Sequence, residues 1–86
     1  AKWQILQIWP NPVNDYGNLY LQATYNSKAQ LKIFNLQGAV ILNQTIMVKK
    51  GFNNLPLSVN ALSDGMYLIQ INADDVLLQQ RFMKVH

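Results

Sequence analysis

Polar and apolar side chains alternate along most of this chain, and clusters of Gly, Pro, Asn, Asp and Ser interrupt the alternation about every 8–12 residues. A period of two predicts β-strands, because successive side chains on a strand point to opposite faces. The first predicted strand covers Trp3 to Trp9 and stops at Pro10 and Pro12, neither of which can donate to a ladder. Asn11, Asn14 and Asp15 suit a corner, since their side chains can bond nearby amides. A second strand runs from Gly17 to Thr24 with Leu19 and Leu21 on one face, and Asn26-Ser27-Lys28 turns the chain. A third, Ala29 to Asn35, points Leu31 and Ile33 inward and Gln30 and Lys32 outward.

Asn35-Leu36-Gln37-Gly38 predicts a tight hairpin, with Asn at the first position and Gly where positive φ is needed. The fourth strand, Ala39 to Val48, sets Val40, Leu42, Ile46 and Val48 on one apolar face. After Lys49-Lys50-Gly51 a fifth strand directs Leu55, Leu57 and Val59 inward, and Pro56 assigns it to a sheet edge. Ser63-Asp64-Gly65 turns into a sixth strand, Met66 to Asn72, that carries Tyr67, Ile69 and Ile71 on one side. Ala73-Asp74-Asp75 closes a hairpin onto a seventh, Val76 to Val85, with Leu78 and Phe82 on one face. Seven short antiparallel strands with one apolar face each predict an all-β, two-sheet sandwich of Greek-key, immunoglobulin-like type. The Cys pair and core Trp of a true immunoglobulin domain are missing.

Composition narrows the function. Eighty-six residues, half of them hydrophobic, make a single domain spanning residues 1–86, with a core but little room for a deep pocket. The chain opens Ala1-Lys2-Trp3 without a leader, which reads as a piece of a longer secreted product whose export signal lies upstream. There is no cysteine, and the single histidine is His86, so a thiol nucleophile, a His triad and a multi-His metal site are excluded. The four acids are Asp15, Asp64, Asp74 and Asp75, a poor source for an acid/base pair; the expectation is a non-enzyme without metal or cofactor. Net charge is +3, but the basic residues form no run, which speaks against nucleic acid. No apolar segment reaches the roughly 20 residues of a membrane-spanning helix.

Two readings of the aromatic residues stay open. Trp3, Trp9, Tyr16, Tyr20 and Tyr25 could present rings to sugars, as in a carbohydrate-binding module of a secreted polysaccharide-degrading enzyme. Alternatively, Trp9 and Tyr20 form a cross-strand core pair. Locally, Gly38 and Gly65 are turn residues, Asp15 belongs to the corner, and Tyr67 and Phe82 belong to the core. Lys84 is an exposed cation with the least structural reason to be where it is.

Five pieces in order resemble the type A C-terminal sorting domain of the type IX (Por) secretion system of Bacteroidetes. They are Trp9-Pro10-Asn11-Pro12, then Asp15, then Phe34 to Val40 around Gly38, then Leu62-Ser63-Asp64-Gly65-Met66-Tyr67, and the closing Arg81-Phe82-Met83-Lys84. The resemblance departs at Trp9, where the family usually has Tyr, and in the extra Val85-His86. It implies a non-catalytic tail on an upstream cargo, recognised by the outer-membrane translocon and often removed by a sortase-like peptidase. The cargo would reach the cell surface or the medium through the periplasm. Arg81, Phe82 and Lys84 on the last strand are the candidate reading surface, with Pro10-Asn11-Pro12 as a second patch. Exposed edge strands also leave self-association open.

Overall fold

The computed structural model describes residues 3–86. Seven strands follow one another: β1 (Gln4–Trp9), β2 (Tyr16–Ala23), β3 (Ser27–Phe34), β4 (Val40–Val48), β5 (Gly51–Ser58), β6 (Gly65–Ala73) and β7 (Val76–Lys84). They form a three-stranded sheet in the order β1-β2-β5 and a four-stranded sheet in the order β4-β3-β6-β7. Every ladder is antiparallel. The chain is an all-β sandwich, as the alternation predicts. It is immunoglobulin-like in order, except that β4 stays beside β3 instead of joining the sheet of β1, as the fourth strand does in constant-type domains.

The core lies between the two inner faces. Leu19, Leu21 and Leu57 come from one sheet, and Leu31, Ile33, Ile69, Ile71 and Phe82 from the other; all are buried. Pro56 lies in β5, at the edge of the three-stranded sheet, where a missing amide is tolerated.

Three sequence expectations are corrected. The face of β4 is buried only at Val48; Leu42 and Ile46 are half-buried and Val40 is exposed. Val40 turns outward because the ladder slips between Ile33 and Phe34 and sets it opposite outward-facing Phe34. Leu42 and Ile46 are half-covered because β4 is an edge strand, and a crevice of about 230 Å³ lined by Leu42, Gln44 and Pro56 opens between it and β5. Next, Ser27 and Lys28 belong to the β3–β4 ladder and not to a turn, paired with Val48 and Met47. The Asn26 side chain instead accepts the amide of Lys50, holding the start of β3 against the start of β5. Finally, Trp9 and Tyr20 do not pair: Trp9 lies opposite Asn18 and is exposed, while Tyr20 stacks on Phe52 at a centroid distance of 5.6 Å. Trp3 is the buried tryptophan, packed against Tyr25 at 5.2 Å.

Candidate recognition surface

The two patches separated by most of the sequence are one structure. After Trp9 the chain leaves the three-stranded sheet through Pro10-Asn11-Pro12, with cis peptide bonds at both prolines. Val13 then arrives beside the end of β7 in a parallel bridge with Lys84. The Val13 amide donates to the Met83 carbonyl at 2.7 Å, and the Val85 amide donates to the Val13 carbonyl at 2.9 Å. The side-chain oxygen of Asn11 accepts the Met83 amide at 3.3 Å. Asp15 fixes the other side of the corner through its backbone, its carbonyl accepting the Val59 amide at 2.9 Å. Its side chain is exposed.

Gly17 permits this close approach. A Cβ there would stand 2.9 Å from Cγ1 of Val13, closer than real Cβ contacts come. Val13 is fully buried and Gly17 is buried beneath it. No periodic pattern signals either role, since both depend on where the corner lands. Gly17, just after the corner, was the one available clue.

Alternation divides the last strand. Arg81 and Met83 face solvent, whereas Phe82 and Lys84 face inward. Phe82 is 1 % exposed and stacks on Tyr67 at 5.7 Å with an interplanar angle of 27°. The Tyr67 hydroxyl donates to the Ser63 carbonyl at 2.7 Å. A tyrosine near the start of the sixth strand that bonds back to the preceding loop is the tyrosine corner of immunoglobulin-like sandwiches. It supplies a physical reason for the Leu62 to Tyr67 block: Leu62 packs on the core, Gly65 takes φ of 151°, and Tyr67 ties the crossover down.

Lys84 corrects an expectation. It is 0 % exposed, not a free surface cation. It shares the inward face of β7 with Phe82, and the Val13 segment closes over it. Its ammonium donates to the Val85 carbonyl at 3.4 Å and has no acidic partner among the described residues. Asp64 instead contacts His86, and both are exposed.

At the other end of Arg81, the outer face of the four-stranded sheet holds a groove of about 660 Å³ lined by Phe34, Leu36, Met66, Leu68 and Arg81, among others. The β3–β4 hairpin walls it. Asn35 builds that hairpin: its carbonyl accepts the Gly38 amide, and its side chain accepts the amides of Gln37 and Ala39 at 3.0 and 2.9 Å. Gly38 takes the positive φ of 86° that the turn requires. Asn53, which the alternation assigned no role, is a second buried brace; its side chain accepts from the Lys49 amide and donates to the carbonyls of Lys49 and Gly51. Far from this region, partial burial and the carboxylates of Asp75 and Asp74 push the Tyr25 phenol above its ordinary pKa. Its hydroxyl lies 3.5 Å from Asp75 as a donor.

Among the described residues, no group of three or more His, Cys, Asp or Glu side chains lies together as a metal site. Among the same described residues, no helix is long and apolar enough to cross a membrane.

The proline corner and the closing motif of the last strand thus meet at one rim of the sandwich. The chain belongs to the family of secretion system C-terminal sorting domains, whose sequence model matches residues 7–85. No curated protein matches it. Members of this family are sorting signals of type IX secretion, in general non-catalytic, carried as tails on proteins exported to the cell surface or the medium.

Proposed function

We propose that residues 1–86 form one sorting tag that directs a linked upstream cargo across the outer membrane by engaging the type IX translocon, without catalysis, metal or cofactor. The translocon and, after it, a sortase-like peptidase are its partners. The observation that carries this reading is the tie between Val13 and Met83, which joins the proline corner to the closing Arg81-Phe82-Met83-Lys84 motif at a single rim. A surface fixed by backbone bonds and a buried core keeps its shape whatever cargo precedes it. Arg81, Pro10, Asn11 and Pro12 are exposed and available for contact. Phe82, Lys84 and Tyr67 act from inside, whereas Gly38 and Gly65 shape turns and the Asp15 carbonyl braces the corner.

The test is a fusion of a signal peptide, a fluorescent cargo and this chain, expressed in a Bacteroidetes host with a working type IX system. Surface or medium fluorescence is expected. An intact, folded fusion retained in the periplasm would falsify the reading.

One observation supports a second reading, glycan binding. The outer face of the three-stranded sheet carries Trp9, Tyr16, Tyr20 and Phe52 among Gln7, Asn18, Gln22 and Asn54, with no charged side chain among the described residues of its strands. Retardation of the purified chain on a polysaccharide affinity gel, lost in Trp9→Ala, would establish that reading; free passage removes it.

A further inference from the structure

The groove end of the outer face of the four-stranded sheet is lined by Arg81 and no acid, whereas Asp74 shares a hollow with Lys28 at another part of the face. The sheet's outward positions include Lys28, Lys32 and Arg81, and none of its strands places an acid there. The four acids of the chain lie instead in the proline corner and in turns. Arg81 is exposed and has no acidic partner among the described residues. It stands at the rim of the groove, in the same cross-strand row as Leu68 and Phe34. Leu36 overhangs the opposite side and is 73 % exposed, an unusual placement for a leucine held by an ordered hairpin.

The neighbouring edge adds direction. The β7 residues that turn their amides and carbonyls away from β6 alternate along the strand. At Met83 and Val85 those groups are taken by Asn11 and Val13. By the same alternation, the groups of Leu77, Gln79 and Arg81 face the open edge of the sheet. The unpaired length of β7 therefore ends where the Arg81 side chain meets the groove.

We propose that this groove and the adjoining β7 edge form the docking site for an extended acidic segment of the export machinery. The segment pairs with β7, places a carboxylate on Arg81 and lays a bulky apolar side chain against Leu36 and Leu68. This rests on the sorting-tag reading and specifies the partner's chemistry. Charge complementarity selects an acidic occupant, and Arg suits a carboxylate because its planar donors can take both oxygens at once. Main-chain pairing at the edge supplies affinity that does not depend on the partner's full sequence.

The experiment uses the exported fluorescent fusion with Arg81→Glu, Arg81→Lys, Leu36→Asp and, as a control on the same face outside the groove, Met47→Asp. Circular dichroism melting of each purified chain checks folding. Arg81→Glu and Leu36→Asp are expected to lower surface fluorescence about tenfold or more, since a like charge placed against the partner is strongly unfavourable. Arg81→Lys should export at an intermediate level, since lysine keeps the charge but loses the two-oxygen contact. Met47→Asp should export nearly as the parent does, and all four should melt like the parent. Normal export of folded Arg81→Glu and Leu36→Asp overturns the docking site while leaving the tag reading intact. Failure of the parent fusion to export overturns both. Sedimentation adds a third outcome: if the parent dimerises and Leu36→Asp is monomeric with unchanged export, the groove binds a second copy and the proposal fails.

Discussion

Val13 and Lys84 lie side by side in a parallel bridge, so the segment after the proline corner closes the open side of the last strand. This contact converts two motifs at opposite ends of the chain into one rim. It also shortens the free edge of β7, because the outward groups of Met83 and Val85 are already bonded. An unpaired edge invites promiscuous pairing, and covering part of it leaves a defined length for a partner.

The close approach at the corner is testable as a coupling. Gly17→Ala should destabilise the chain by about 1–3 kcal/mol, because its Cβ would stand 2.9 Å from the fully buried Val13 side chain. Val13→Ala alone should cost about 2 kcal/mol of buried apolar contact. The double variant should cost less than the sum, with a coupling of about 0.5–3 kcal/mol in urea unfolding. Strict additivity would disprove the steric account.

Phe82→Ala should destabilise by about 3–5 kcal/mol, since the ring is fully enclosed and stacked on Tyr67. Tyr67→Phe removes only the hydroxyl bond to Ser63 and should cost about 1 kcal/mol. Equal losses in the two variants would argue against the tyrosine corner as a secondary tie.

Lys84→Met should leave the domain as stable as the parent or raise its stability by about 1–3 kcal/mol. A buried ammonium with one long bond and no counter-ion is a net cost, and Met has similar length without charge. A lowered urea midpoint would show that the ammonium contributes favourably after all.

Alkaline pH should act through Tyr25. A phenol whose folded pKa is raised above its unfolded value contributes stability that is present below the unfolded value and lost as pH rises through the folded one. The ordinary value is 10.0, so the loss should begin above it. The difference in ultraviolet titration between the parent and Tyr25→Phe should isolate a phenol that ionises above 10.0, and Tyr25→Phe should resist alkaline unfolding better.

Much of this fold was legible in one dimension. Strand alternation located Leu19, Leu21, Leu31, Ile33, Ile69 and Ile71 in the core, because side-chain direction on a strand is set by residue parity. Pro56 marked an edge because a missing amide can be spared only there. The Asn35 to Gly38 turn followed from backbone preference alone. The order of the motifs identified the sorting family, and residues 7–85 match it.

Tertiary structure decided what parity could not reach. Parity gives the face on which Lys84 lies, but its full burial depends on Val13 arriving from the far end of the chain to cover it. The exposure of Val40 depends on the slip in the β3–β4 ladder that sets it opposite Phe34, and the separation of Trp9 from Tyr20 on the register of the β1–β2 ladder. Each is a contact between segments distant in sequence, and such contacts are fixed by packing and closure, not by any local preference of the residues that make them.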